Sequence, residues 1–393
     1  MRNVNTASML DNDLYKFSMS YAYMKLFPEA EGTFEFCDRN KTVYTSEFVQ
    51  ALSSELHKLA ERMLLSTERS WCVKHIQYIP EWYWEWLESF YFNPSLIKVS
   101  LTKEGMLNIT VTDKLYKVTL YEVPILYTIA ELCYKFSGTE LSHEQFKEII
   151  SKTENKCKIA DEAGMFFSEF GTRRRFSYEV QDIVIKTCKS CSHCVGTSNV
   201  HFAMKYDMKP IGTVAHEWVM FHGAMYGYNE ANYMAYKNWV KVYDGNLGIA
   251  LTDTYTSDVF FKNFSLQHAK LFDGIRQDSG DEKEFVEKAL LKYNELKINP
   301  LTKTIVFSNA LDFPKAATIA EYCKGKIKAS FGIGTNLTND IDGIKPQNIV
   351  MKLMQCRMNN KQSWIHCVKI SDDKGKVMGN PDEIKTAFYK LGL

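Results

Sequence analysis

The chain has 393 residues, room for two or three domains or for one large α/β barrel with an added unit. Its 48 basic and 47 acidic side chains leave a net charge of +1 with neutral histidines, so no basic excess exists to neutralise a phosphate backbone, and no nucleic-acid partner is expected. A hydrophobic fraction of 45% with 13% aromatics excludes a disordered or collagen-like chain.

Near the N-terminus Asp11 and Asp13 fall where a signal peptide needs apolar residues, and no run of about 18 apolar residues occurs anywhere, so a soluble, cytoplasmic protein without membrane contact is expected. Residues 8–27 and 48–65 carry apolar positions at helical spacing, whereas 31–37 and 107–123 alternate as strands. That order predicts an α+β N-terminal domain over residues 1–125. Trp82, Trp84 and Trp86 follow Pro80 at a helix start and read as core or interface.

From about residue 160, short apolar runs end in polar or glycine-rich clusters and are followed by helical stretches. The clusters are GTVAHEW (212–218), TDTYTSD (252–258), GIRQDSGD (274–281), VFSNALD (306–312) and SFGIGTNLTND (330–340). Anchor positions 216, 253, 278, 309 and 334 lie 37, 25, 31 and 25 apart. A (β/α)₈ barrel allots about 31 residues to each unit, and its chemistry sits at the carboxyl ends of the strands. A doubly wound sheet would alternate in the same way. The barrel unit is placed at 126–348; the tail, 349–393, has strand-like segments at 349–357 and 363–370 and a helix from Pro381, and is expected to complete the N-terminal domain.

The cluster chemistry points to an anionic ligand. Glycines at FGIGT (331–335), with Gly334 and Thr335 at its end, would let backbone N–H groups and a following helix N-terminus approach a phosphate; a plain tight turn is the alternative. Arg276 and Asp278 share one strand end, and Asp253 and Asp258 the preceding one, where they suit ribose hydroxyls or a Mg²⁺ carried by a polyphosphate, or else helix caps. FGTRRRFS (170–177), read as extended, would aim Arg173 and Arg175 at the ligand and Arg174 away, although such triplets are commonly solvated. Ten cysteines without regular spacing read as reduced thiols; CKSCSHC (Cys188, Cys191, His193, Cys194) has metal-like spacing but no second ligand group, so structural thiols and no protein-held metal are expected.

Taken in order, DNDLYKFSM, FGTRRRFS, VGTSNV, GTVAHEW, GIALTDT, IRQDSGD, VFSNALD and FGIGT resemble the nicotinate phosphoribosyltransferase family of bacterial type across essentially the whole chain. The resemblance implies an irregular α/β barrel of the type II phosphoribosyltransferase kind with an N-terminal sandwich-like domain. It implies an ATP-hydrolysing ligase of NAD salvage that joins nicotinate to 5-phosphoribosyl-1-pyrophosphate with Mg²⁺. By resemblance, His216 is phosphorylated by ATP, Arg173 and Asp278 act in catalysis, and Phe170 with Arg173 holds the pyridine against a Tyr15 contributed across a homodimer interface. Arg175, Asp253, Arg276, Asn309, Gly334 and Thr335 complete the substrate site; Asn309 stands where some relatives carry an acid. Ser198 stands where nicotinamide-using relatives carry an acid, and its hydroxyl would donate to a nicotinate carboxylate.

Overall fold

Two sheets organise residues 8–393, the residues that the computed structural model describes. The first comprises β1 (Glu31–Asp38), β2 (Ile97–Leu101) and β3 (Leu107–Lys114), with two later strands described below. Strand β1 alternates buried and half-buried residues, turning Phe34 and Phe36 into the core, as a period of two requires of a sheet covered on one face.

The second sheet is parallel and has seven short strands: β4 (Phe167–Glu169), β5 (Cys194–Thr197), β6 (Lys209–Pro210), β7 (Ile249–Leu251), β8 (Gly274–Gln277), β9 (Thr304–Phe307) and β10 (Lys328–Ile333). Their spatial order is β6-β5-β4-β10-β9-β8-β7. Read as a ring, that is chain order, with β4 paired to β10 and a single seam between β6 and β7; a doubly wound sheet would not bring the first strand beside the last. The result is a curled half-barrel. Helix Leu14–Leu26 lies along the seam: Ser18 Oγ donates to the Thr213 carbonyl (2.7 Å) on the β6 side, and Tyr243 Oη donates to the Ser18 carbonyl (2.5 Å) on the β7 side. Because that helix is buried around most of its girth, its small polar residues are as enclosed as its apolar ones.

The tail closes the other sheet. Strand β11 (Ile349–Arg357) runs antiparallel to β1 from Glu31↔Arg357 to Asp38↔Ile349, and β12 (Ile365–His366) pairs with β11 outside it. Only two residues of the strand expected at 363–370 pair in this way. Beyond them the chain leaves the sheet, and Ile370 N donates to the Thr254 carbonyl at 2.9 Å, which carries tail residues to the mouth of the half-barrel.

Two further expectations shift. The first helix begins at Leu14 rather than residue 8, because residues before it run into the half-barrel, where Leu14 N donates to the Ser198 carbonyl (2.8 Å). The alternation expected through residue 123 ends at Lys114; from Leu115 the chain turns helical, and Thr119, Leu120 and Tyr121 are all buried, so period could not distinguish the two states. Among the described residues no helix is long and apolar enough to cross a membrane.

Candidate active site

The carboxyl ends of the parallel strands gather most of the predicted residues. Leu251 of β7 pairs with Arg276 of β8, so Asp253 and Asp278, two residues beyond each, emerge side by side. His216 begins helix His216–Tyr226 and is 4% exposed. Its Nε2 faces Asp278 Oδ2 at 3.1 Å and Asp253 Oδ1 at 3.9 Å, while Nδ1 faces Thr254 Oγ1 at 3.0 Å. Ser308 Oγ, after β9, donates to the other oxygen of Asp278 (2.7 Å). Ser279 Oγ donates to Asp253 Oδ2 (2.5 Å), and Asp253 Oδ1 is buried without a hydrogen-bond partner.

Burial, reinforced by the charge of Lys369, pushes the His216 pKa down to about 4, although Asp253 and Asp278 pull the other way. Asp278 is held well below the ordinary carboxylate range: burial opposes this, but the hydrogen bond from His216 and the charge of Arg276 prevail. At neutral pH the pair is therefore a neutral imidazole and an ionised carboxylate. That assigns the ring proton to Nε2, donated to Asp278, and leaves the Nδ1 lone pair toward the Thr254 hydroxyl. Ligand atoms of His216, Asp253 and Asp278 all lie within 4.8 Å of one another. Two carboxylates, one with a vacant buried oxygen, form a donor set suited to a hard cation such as Mg²⁺.

The arginine triplet is not extended. Thr172–Arg174 form one 3-10 turn, which sends the three side chains in three directions. Arg173 stays about one-third exposed, 3.5 Å from Glu122 Oε1. Arg174 Nε donates to the Ile349 carbonyl (3.0 Å), locking the turn to β11. Arg175, expected to face the ligand, is instead fully buried. Its Nε donates to Glu131 (2.7 Å), Nη1 to Asp11 (2.8 Å) and Gln181 (3.1 Å), and Nη2 to Asp11 (3.0 Å), with Tyr127 beneath it at 4.1 Å. This guanidinium ties Asp11 and Glu131 to the turn and has no access to a ligand.

Around Arg173 lie Tyr15, Asp13 and Glu122, each within electrostatic reach, and the field of Asp278 also reaches it, so this corner lies on the side of the imidazole cluster. Tyr15 arrives here within its own chain; among the described residues its ring does not touch that of Phe170. Ser198 is 3% exposed, and its hydroxyl is already committed, donating to Asp13 Oδ1 at 2.8 Å. The Asp13 carboxyl is raised by burial, against that hydrogen bond, so this corner resists a second negative charge more than the sequence suggested.

FGIGT also departs from expectation. The Phe170 ring lies against Gly332, where a side chain would collide with it, and a Cβ on Gly334 would come within 3.1 Å of the Phe170 carbonyl. These glycines thus serve the packing of β10 on β4. After Gly334 the chain makes only a four-residue turn, Thr335–Thr338, too short to supply the helix dipole that the phosphate-loop reading required. Asp258 also leaves the site: it sits exposed on the first turn of Ser257–Asn263 and pairs with Lys288 at 2.9 Å.

The tail contributes cations that motif reading missed. Lys376 Nζ donates to the Asp278 carbonyl (2.8 Å) and to Asn309 Oδ1 (2.7 Å), which fixes Asn309 at the site's edge. Lys369 is buried 4.0 Å from Asp253. Lys352, on β11, has its pKa pushed down to about 7 by burial and by the nearby charges of Arg173, Lys369 and Lys16, against the pull of Glu122. Arg276 Nε is buried without a hydrogen-bond partner. Nothing in the spacing of the tail announces these lysines; only the pairing of β11 with β1 and the path of residues beyond β12 bring them in.

Comparison with known proteins bears on the family and on the fold. Residues 165–390 match the model of the nicotinate phosphoribosyltransferase (NAPRTase) family, and residues 10–130 match its N-terminal domain. The chain is 41% identical over 380 residues to a nicotinate phosphoribosyltransferase of Desulforapulum autotrophicum, covering 96% of each, and 39% identical over 401 residues to one of Methanosarcina acetivorans, covering 98% of each. The crystal structure of nicotinate phosphoribosyltransferase from Porphyromonas gingivalis superposes with a TM-score of 0.97 at 46% identity, over 99% of this chain and 100% of that one. The Vibrio cholerae enzyme gives 0.92 at 30% identity, over 100% and 95%.

Proposed function

The chain belongs to the nicotinate phosphoribosyltransferase family, and we propose that it couples ATP hydrolysis to the joining of nicotinate and 5-phosphoribosyl-1-pyrophosphate, through a phosphohistidine at His216. One observation carries the ATP-linked part: a neutral imidazole whose Nε2 proton is held by an ionised Asp278 at the mouth of the half-barrel. Attack of the Nδ1 lone pair on the terminal phosphorus of ATP forms the N–P bond as the bond to the ADP oxygen breaks. The ring gains positive charge, and Asp278, already on Nε2, stabilises it without moving a proton.

The transfer itself needs little acid–base help. The pyridine nitrogen forms the bond to C1 of the ribose while the bond from C1 to the pyrophosphate oxygen breaks, and the pyridine has no proton to lose. The work lies in positioning and in stabilising an oxocarbenium-like ribose and a departing anion. Arg173 supplies the counter-charge for the nicotinate carboxylate, with Tyr15, Phe170 and Ser198 around the ring. Asp253, Arg276 and Asn309 serve the ribose and its phosphates, the backbone N–H groups of Gly334 and Thr335, without a helix dipole behind them, the 5-phosphate, and Lys352, Lys369 and Lys376 the pyrophosphate. Mg²⁺ carried by either polyphosphate would be held by Asp253 and Asp278 and would neutralise its charge. The same reading places the protein in the cytoplasm, in NAD salvage, as a homodimer, with Tyr15 serving the site of its own chain.

The test is direct. Incubation with nicotinate, 5-phosphoribosyl-1-pyrophosphate and Mg²⁺, with and without ATP, should give nicotinate mononucleotide in both cases, faster with ATP and with release of ADP. No mononucleotide under either condition would overturn the reading.

A further inference from the structure

Four cysteines unused by the proposed reaction meet where helix His143–Ala163 packs against helix Tyr178–Cys188. Cys157 comes from the first helix; Cys188, Cys191 and Cys194 come from the end of the second and the loop into β5. Two consecutive turns shape that loop, with Cys191 N donating to the Cys188 carbonyl (3.0 Å) and Cys194 N to the Cys191 carbonyl (3.2 Å).

The thiol contacts are serial. Cys191 neighbours Cys157, Cys157 neighbours Cys188, and Cys188 neighbours Cys194. A tetrahedral thiolate cage would instead draw all four sulfurs mutually together, at Zn–S distances of about 2.3 Å. Among the described residues, the one group of three or more candidate ligands drawn within 4.8 Å of one another is His216, Asp253 and Asp278. The row of sulfurs therefore suits exchange between neighbouring thiols better than metal ligation.

The cavity selects one pair, since Cys194, the most exposed of the four, lies off its lining. Cys157 and Cys191 both line a surface cavity of 540 Å³, together with Asp161, Lys158 and Lys186. Cys188 is fully buried behind them, and so is the separate pair Cys356 and Cys367, whose sulfurs lie 3.3 Å apart in the β11–β12 corner. Cys191 Sγ is 3.8 Å from the Cys157 carbonyl and 3.5 Å from Asp161 Oδ1, so it hangs between the helix and the cavity. The neighbouring thiols of Cys188 and Cys191 hold the Cys157 pKa below that of a free cysteine, although burial and the carboxylates of Asp161 and Glu154 oppose this. Burial pushes the Cys191 thiol up to about 12. The two thus differ as an attacking thiolate and a resolving thiol must.

We propose that Cys157 and Cys191 are a reversible oxidation site for hydrogen peroxide that enters this cavity. The Cys157 thiolate attacks one peroxide oxygen, an S–O bond forms as the O–O bond breaks, and hydroxide leaves and takes a proton to become water. The Cys191 sulfur then displaces the sulfenic hydroxyl as a second water, forming the S–S bond; two thiols are oxidised and one peroxide is reduced. The site lies at the start of β5, whose other end leads to Ser198, and it does not depend on the proposed reaction.

The full chain, reduced and then treated with one equivalent of hydrogen peroxide, is alkylated and mapped by peptide mass spectrometry. The expected product is a Cys157–Cys191 disulfide, reversed by dithiothreitol and formed about tenfold faster than oxidation of Cys37, a lone half-buried thiol whose pKa burial raises. In Cys191→Ser, dimedone should label Cys157 as the trapped sulfenic acid. Oxidation of Cys37 ahead of Cys157 in the unmodified chain, or a disulfide from Cys157 to Cys188, would overturn the proposal; neither result depends on the variant folding.

Discussion

Two charged clusters lie close together in this molecule and use the same residue types differently. Around Arg175, four hydrogen bonds to Asp11, Glu131 and Gln181 commit the guanidinium to its neighbours, and no water reaches it. Around His216, Asp278 is partly open, while Asp253 Oδ1 and Arg276 Nε are enclosed without hydrogen-bond partners. A buried polar atom left without a partner is costly, so its retention points to a partner that arrives with a ligand. Of the two arginines two positions apart in one motif, the fold satisfies Arg175 completely and leaves Arg173 about one-third exposed, with Glu122 3.5 Å away.

The largest effect expected from that contrast is on stability. Arg175→Met leaves Glu131 buried without its counter-charge and Asp11 with Arg62, 3.9 Å away, in place of its two bonds to Arg175, and should cost about 3–5 kcal/mol in urea unfolding. A loss below about 1 kcal/mol would show that the network is dispensable. Arg173→Ala inverts the pattern: stability should change little, because this side chain is partly exposed, whereas kcat/KM for nicotinate should fall about 10²-fold, or about 2.7 kcal/mol. Equal loss in both variants would erase the distinction between the clusters.

Lys352 sharpens the comparison through pH. Its pKa near 7 means that the free site loses this charge as pH rises through neutrality, whereas a bound polyphosphate favours the ammonium form. Binding should therefore take up a proton, and KM for 5-phosphoribosyl-1-pyrophosphate should rise by up to about tenfold between roughly pH 7 and 8.5. Lys352→Gln should raise KM at pH 7 and flatten that rise. An unchanged slope in the variant would place the titrating group elsewhere.

How far the sequence could be read depends on these same residues. The strand-end positions of Asp253, Asp278 and Asn309 were legible because each follows a short apolar run, whereas His216, six residues beyond β6 at the start of a helix, was legible from its motif. The seam between β6 and β7, and its cover by helix Leu14–Leu26, were not, since nothing local in a sequence records which strands fail to pair. Arg175 was misplaced because alternation presumes extended backbone, and one 3-10 turn undoes it. Lys352, Lys369 and Lys376 were invisible for a different reason: their position depends on β11 joining a strand some 300 residues earlier. The glycines of FGIGT look alike in sequence whether they face a ligand or, as Gly332 does, an aromatic ring.

The measurement that bears most directly on the central claim compares initial rates of nicotinate mononucleotide formation, with and without ATP, in the unmodified chain and in His216→Ala. If the neutral imidazole held by Asp278 is the phosphoryl acceptor, ATP should accelerate the first and leave the second at its slow ATP-independent rate, and label from the terminal phosphate of ATP should be retained only by the unmodified chain, in acid-labile, base-stable form. ATP stimulation that survives in His216→Ala would contradict the account.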